Sequence, residues 1–227
     1  PSCIEAMTAR GCWMNDKGRL CIPRGLVEDV IAKAARNFIL PGRDPKYDME
    51  PSGKRAYFGT AGAAVHVVEP STREYRESVL VDLYDTGRIV DNCEHIHFYQ
   101  RPLTARDMIT GHDLDINTMY ACLAGTQKHV GTSMVDPTHV EECLQILHVL
   151  AGGEDKWREK PFVSQSNCFV VPPMKFAEDA CRCLETAARG GMPVLLLSAG
   201  QAGVTSPAAL AGTVVQAVSE CLAGLVY

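Results

Sequence analysis

The sequence predicts an α/β protein of the (β/α)8 TIM-barrel type, with about five β/α units within these 227 residues. Short apolar runs bounded by Gly and Pro, such as 193–197, are typical of strands covered on both faces. A helical pattern follows each run. In the last unit Ser206 and Pro207 read as an N-cap and the first helical position. An open, five-stranded, doubly wound sheet fits the same order of strand, polar loop and helix, and is the alternative.

The second part of the chain contains the repeated units. Strands are predicted at 56–61, 96–100, 129–134, 162–168 and 194–198. Helices are predicted at 80–91, 105–124, 138–151, 175–189 and 207–227, and a hairpin at 65–77. Five strand–helix units in parallel order suit a barrel, whose full form has eight.

The first part of the chain has a different pattern. It predicts a helix end at 1–10, a hairpin at 12–22 around the turn residues 15–18, and an amphipathic helix from Pro23 to about residue 37. We therefore divide the chain into an accessory α/β element, 1–54, and a barrel portion, 55–227.

Composition excludes several classes of partner. The chain has 22 Lys and Arg against 27 Asp and Glu, a formal charge of −5, and no basic cluster of the kind that nucleic acid requires. No apolar run reaches the roughly 18 residues of a membrane span. The ten cysteines, with no signal-peptide pattern, are expected to be reduced thiols of a cytoplasmic protein. Most of them, such as Cys122, Cys143 and Cys221, occupy positions of small apolar residues.

In a barrel, chemistry is found at the carboxyl ends of the strands and in the loops that follow. That rule predicts a neutral, polar set of substrate-binding residues, which suits a substrate that is positioned rather than deprotonated. No catalytic residue is assigned from the sequence. The predicted substrate-binding residues are Tyr99, Gln165, Asn167, Gln201 and Thr205.

Several patches resemble the trimethylamine methyltransferase family of cobalamin-dependent methyltransferases, whose members have a similar Gly-x-Thr-x-Pro loop and Leu-Ala-Gly helix. The matching residues are Gly203, Thr205, Pro207 and 210–212, then Glu220 with 222–224; residues 57–59, 150–154 and 158–162 agree as well. The resemblance runs in the family's order over most of the chain from about residue 20.

The resemblance implies a barrel and a specific reaction. A methyl group would pass from a methylated amine, trimethylamine-like or betaine-like, to the cobalt of a corrinoid carried by a partner protein, with no metal bound directly by this chain. Gly59, Gly62 and Gly203 are predicted to let the corrinoid approach the backbone, because they carry no Cβ. A homo-oligomer is left open, and neither nucleic acid nor a membrane is expected as a partner.

Two other functions are compatible with the residues. His95 and His97, two positions apart on a strand, point the same way and suggest a metal-dependent barrel hydrolase, with His129 and Asp136 as further ligands. Against this, His95 lies at the beginning of its strand, whereas catalytic residues of barrels lie at the other end. The third hypothesis is a non-catalytic barrel that binds an amine or a corrinoid protein. No Gly-x-Ser-x-Gly motif supports a serine hydrolase.

Overall fold

The computed structural model describes residues 2–227, so Pro1 of the predicted helix end at 1–10 lies outside the described residues. The chain forms two compact units. The first contains the segment up to Arg36 together with Asn167–Cys181 and Leu196–Tyr227, and the second contains Asn37–Ser166 and Arg182–Leu195. Both units are discontinuous in sequence, and the single division at residues 54/55 stays a prediction.

The elements follow one another in a mixed α/β order. The α-helices are α1 Ser2–Thr8, α2 Arg24–Lys33, α3 Leu80–Asp91, α4 Gly111–Gly125, α5 Pro137–Ala151, α6 Glu154–Glu159, α7 Glu178–Arg189 and α8 Leu210–Val226. The strands are β1 Trp13–Met14, β2 Leu20–Cys21, β3 His66–Val68, β4 Tyr75–Glu77, β5 Phe98–Gln100, β6 His129–Thr132, β7 Val163–Asn167, β8 Val170–Val171, β9 Lys175–Phe176 and β10 Val194–Leu196.

One four-stranded sheet has the strand order β10-β7-β6-β5. The second unit contains this sheet, except for the last residue of β7 and the last residue of β10, which belong to the first unit. β5 pairs with β6, and β6 with β7, in parallel. A parallel bridge between Gly59 and Phe98 continues the order beyond β5. Spatial order therefore follows chain order, without the reversal that marks a doubly wound sheet, throughout the part of the chain that the structure describes. The sheet is compatible with part of a β/α barrel.

Most predicted elements are confirmed, although several are shorter than predicted; the helix predicted at 175–189, for example, begins at Glu178, after β9. The helix predicted at 80–91 is α3, and the hairpins at 12–22 and 65–77 are β1–β2 and β3–β4. α4 begins at Gly111 rather than at residue 105, because the Thr110 hydroxyl accepts the Asp113 N–H at 3.0 Å and caps the helix there. The strand predicted at 56–61 is wrong as a regular strand, since only Gly59 of that segment forms a bridge.

The start of α8 is a further correction. Ser206 is not its N-cap, because the helix begins at Leu210 after Ala209. Instead, the backbone of Ser206 closes a turn: its N–H donates to Gln201 O and its carbonyl accepts the Gly203 N–H. The main-chain hydrogen bonds of this turn hold Ser206 outside the helix, although the sequence pattern at Ser206 and Pro207 is that of a helix start.

The core of the second unit lies between the sheet and its helices. α3 and α4 approach so closely at Gly87 and Gly125 that a Cβ on Gly125 would lie 2.7 Å from Tyr84 O and 3.0 Å from Gly87 Cα. At the end of α3, buried Lys128 donates to the carbonyls of Val90, Cys93 and Ile96 at 2.6–2.7 Å. These contacts fix α3 and α4 against one face of the sheet.

The cysteines behave as the sequence predicts. All ten are thiols. Cys122 and Cys143 are fully buried, and burial raises the pKa of each thiol to about 12, so neither is a reactive thiolate at neutral pH. Separately, within residues 2–227 no helix has the length and apolar character needed to cross a membrane.

Candidate functional site

The register of the parallel strands divides their side chains between two faces. Paired residues of parallel neighbours share a face, and alternate residues of one strand point to opposite faces. Tyr99 pairs with Val130, and Thr132 pairs with Gln165, which defines one face. The opposite face carries Phe98 and its partner His129 at the amino ends of the strands, and then Gln100, Gly131, Ser164 and Ser166. Burial lowers the pKa of His129 to about 4, so its ring is uncharged at neutral pH.

The face of Tyr99 is covered by helices. Tyr99 is fully buried, and its hydroxyl donates to Leu83 O of α3 at 2.7 Å and lies 2.7 Å from Thr86 Oγ1. Burial raises the pKa of the Tyr99 phenol. The phenol is thus bound to the backbone of α3, and its predicted contact with substrate stays a prediction without geometric support.

Gln165 and Asn167 also use their polar atoms within the fold. The Gln165 amide accepts the Met134 N–H at 3.1 Å and donates to Met134 O at 3.0 Å, and the side chain is fully buried. In the first unit, Asn167 Nδ2 donates to Ala180 O of α7 at 3.0 Å, and its Oδ1 is buried without a hydrogen-bond partner. Substrate binding by these two residues is a prediction that nothing in their contacts favours.

The opposite face is polar and uncharged. Ser166 Oγ donates to Gln100 Oε1 at 3.3 Å. Gly131 has no room for a Cβ, because the Gln100 amide occupies that space. Phe98 and Ser164 are half-buried on the same face. None of the five predicted substrate-binding residues belongs to this set, although the period-2 alternation of a strand links Gln100 to Phe98 and Ser164 to Ser166.

The loop after β6 is held by buried side chains. Besides the two bonds from Gln165 to Met134, the Asp115 carboxylate accepts the Val135 N–H at 3.1 Å and a hydrogen bond from His139 Nδ1 at 2.8 Å. Asp115 is 2% exposed. Its Oδ1 atom is buried without a hydrogen-bond partner. This loop stands at the carboxyl end of β6, where a parallel α/β fold places its functional residues.

Gln201 and Thr205 belong to a compact turn of the first unit. The carbonyl of Gln201 accepts the N–H groups of Val204, Thr205 and Ser206, each at 3.0 Å, and Thr205 Oγ1 accepts the Gln201 N–H at 2.9 Å. The Thr205 hydroxyl therefore closes the turn, whereas the Gln201 side chain is exposed. Of these two predicted substrate-binding residues, Gln201 is the one whose side chain is available to a ligand.

A buried carboxylate lies within the same unit. Glu220 of α8 is 2% exposed and accepts hydrogen bonds from the Met174 N–H at 2.8 Å, from Gln216 Nε2 at 3.2 Å and from the Ser198 hydroxyl. Gln216 Nε2 also donates to Thr205 O at 2.9 Å. Glu220 and Gln216 thus connect α8 to the turn and to Ser198. The sequence signal for this role is that Glu220 is the one charged residue of α8.

The three glycines predicted to face a corrinoid differ in their surroundings. At Gly59 a Cβ would overlap the ring of Phe98, so packing alone explains this glycine. Gly62 has φ +114°, and the nearest atom to an added Cβ is Pro102 O at 3.9 Å; Gly203 has φ +80°, with Ala208 Cβ at 4.0 Å. The backbone is uncrowded at Gly62 in the second unit and at Gly203 in the first, whereas at Gly59 it is covered by Phe98; contact of these glycines with a corrinoid stays a prediction.

The histidines of the hydrolase hypothesis are not gathered around a metal site. His97 Nδ1 accepts the Phe58 N–H at 2.9 Å. His129 is buried, its Nδ1 donates to Pro41 O at 2.8 Å, and burial lowers its pKa to about 4. Throughout residues 2–227 no group of three or more His, Cys, Asp or Glu is arranged to hold a metal ion.

Fold and site together define an α/β chain with a parallel sheet whose uncharged polar face runs to the carboxyl ends of its strands. The family described as trimethylamine methyltransferase (MTTB) matches residues 1–227. This chain belongs to that family, as the resemblance implied.

Individual relatives agree with the family. The chain is 33% identical over 224 residues to the trimethylamine methyltransferase MttB of Desulfitobacterium hafniense, covering 98% of this chain and 45% of the relative. It is 31% identical over 232 residues to MttB1 of Methanosarcina mazei, with 99% and 46% covered. A glycine betaine methyltransferase of Desulfitobacterium hafniense is 26% identical over 223 residues, with 98% and 46% covered. The chain spans about half the length of these curated relatives.

Proposed function

We propose that this chain belongs to an enzyme that transfers a methyl group from a methylated amine, trimethylamine-like or betaine-like, to the cobalt of a corrinoid carried by a partner protein. Family membership over the whole chain carries the proposal. The names of the relatives supply both candidate donors, trimethylamine and glycine betaine.

We place the methyl donor on the face of Phe98, Gln100, Ser164 and Ser166. A methylammonium group is a bulky cation, and the ring face of an aromatic residue together with amide and hydroxyl oxygens attracts such a cation. Phe98 and Gln100, alternate residues of one strand, supply one of each kind on the same face.

The absence of charge on this face suits the reaction. When the N–CH3 bond breaks, its electron pair stays on nitrogen and the positive charge of the donor disappears. A carboxylate directly against the nitrogen would stabilise the bound donor more than the transition state, and would lower the rate. Neutral dipoles stabilise the bound donor less than a carboxylate would, so they slow the reaction less. They still align the donor, and alignment itself can supply a large part of the rate.

A reduced corrinoid, when bound, supplies the nucleophile that accepts the methyl group. Within the second unit, Gly62 is the predicted contact residue whose open backbone fits such a ring. The residues of this chain then bind and orient the donor and exclude water from it. The complete barrel, which needs further strands, is part of the proposal, and relatives of about twice this length have room for them.

The test is methylation of cob(I)alamin by trimethylamine or glycine betaine in the presence of the protein, followed by the change in the cobalamin absorption spectrum. We expect methylation with at least one donor, and weaker donor binding in Gln100→Leu. Ser71→Ala, an exposed hydroxyl in the β3–β4 connection, is the control. No methylation with either donor, or equal donor binding by Gln100→Leu, would contradict the proposal.

A further inference from the structure

The loop after β6 is more rigidly held than a connecting loop requires. Three consecutive main-chain groups, the N–H and carbonyl of Met134 and the N–H of Val135, are each bound by a buried side chain, Gln165 or Asp115. Three in succession fix the backbone direction of the whole loop.

The residue that this loop presents is Ser133. Val130 and Met134 belong to the core on the helix-covered side, and Thr132 is fully buried. Since side chains alternate, Ser133, the first residue after β6, continues the row of Gly131 on the opposite face, and the register continued past Thr132–Gln165 brings it level with Ser166. Ser133 is half-buried, and within the described residues its hydroxyl makes no hydrogen bond.

We propose that the Ser133 hydroxyl accepts the N–H of a protonated tertiary methylamine, and that Asp115 and Gln165 are positioning residues that hold Ser133 in place for it. This inference rests on the proposed function and assigns a specificity-determining residue within the same site. Binding the N–H fixes the direction of the N–CH3 bonds, because the four substituents of the nitrogen are tetrahedral. In trimethylammonium bound in this way, all three methyl groups point away from the Ser133 hydroxyl.

Asp115 has a second link that ties the loop to α5. Its carboxylate binds His139 Nδ1 at 2.8 Å, and the ring of His139 packs edge-on against His112 at 5.1 Å between centroids. His112 in turn binds Glu142 at 2.7 Å, and this hydrogen bond raises the pKa of His112. Asp136 caps α5 beside them. His139 and Val135 thus share the Asp115 Oδ2 atom, which links the loop after β6 to α5.

The test compares two cations that differ only in the N–H. Trimethylammonium can donate to Ser133, whereas tetramethylammonium cannot. A hydrogen bond to a charged group contributes about 1.5–3 kcal/mol, so Ser133→Ala should weaken trimethylammonium binding by roughly tenfold or more. Tetramethylammonium binding should change by less than about twofold, because no hydrogen bond is lost. Calorimetric titration of both cations, with Ser71→Ala as control, gives the comparison.

Asp115→Asn tests the positioning role without removing the side chain. Val135 N–H and His139 Nδ1 both bind Asp115 Oδ2, so the amide oxygen of asparagine can still accept both hydrogen bonds, but the negative charge that strengthens them is lost. We expect Asp115→Asn to weaken trimethylammonium binding less than Asp115→Ala does, and hydrogen exchange of the Val135 amide to quicken in the same order. Unchanged exchange at Val135 in Asp115→Ala would overturn the positioning role.

The outcomes separate this inference from the function on which it rests. Unmodified protein that binds neither cation would overturn the inference, whereas the proposed function would be rejected only if cob(I)alamin were methylated by neither trimethylamine nor glycine betaine. Unmodified protein that binds both, with Ser133→Ala affecting both equally or neither, would overturn the role of Ser133 and leave the proposed function standing.

Discussion

Replacing Gln165 by Met tests whether this residue belongs to the fold or to the donor site. Methionine nearly preserves the shape of the side chain but cannot hydrogen-bond to the backbone of Met134. Two buried main-chain groups of Met134, now bound at 3.1 and 3.0 Å, would lose their partners. Leaving one such group unsatisfied costs about 1–3 kcal/mol, so we expect a loss of about 2–4 kcal/mol in the free energy of unfolding.

Urea unfolding and thermal melting measure this loss. For a chain of this size each kcal/mol lowers Tm by about 2–4 °C, so Gln165→Met should melt on the order of 10 °C lower. The matched control is Gln201→Met, since the Gln201 side chain is exposed and should change the stability by less than about 0.5 kcal/mol. If Gln165→Met proves no less stable than Gln201→Met, the structural role assigned to Gln165 is refuted.

Three further changes probe other parts of the account. Gly125→Ala places a Cβ against the backbone oxygen of Tyr84, which cannot rotate away, so the free energy of unfolding should fall by about 1–3 kcal/mol. The control is Gly111→Ala in the same helix, where the space is open and no such loss is expected. Because burial lowers the pKa of His129 from 6.5 to about 4, the unfolded chain binds a proton more readily than the folded protein between those values. Stability should therefore fall by about 3 kcal/mol as the pH is lowered from 6.5 to 4, and His129→Asn should lack that part of the slope in pH-dependent urea titrations. Glu220→Ala removes the acceptor of three donors, and faster hydrogen exchange at the Met174 amide should accompany a lower Tm; unchanged exchange would contradict the role of Glu220.

The sequence predicted the bounds of an element well where a local hydrogen bond sets them. α3 matches its predicted range because the Asp82 side chain accepts the Val79 N–H and marks its start. The segment at 56–61 differs, since Gly59 and Gly62 weaken an extended strand and the ring of Phe98 fills the space above Gly59. α6 and the hairpin β8–β9 lack a strong period and were not predicted.

The site was harder to predict because the strands carry polar residues on both faces. A strand covered on one side only shows by alternation which residues face the core. Here Gln100 and Gln165 lie on opposite faces of one sheet, and the sequence alone does not say which amide binds Met134. The rule for strand ends predicts the region of the site, but which face of the sheet each residue occupies depends on which face the helices cover.

A crystal structure of the protein with trimethylammonium bound tests the central claim most directly. The account predicts the nitrogen on the face of Phe98, Gln100 and Ser166, with its N–H directed to the hydroxyl of Ser133. A donor bound instead on the helix-covered face beside Tyr99 and Gln165, or at the amino ends of the strands near His129, would contradict it.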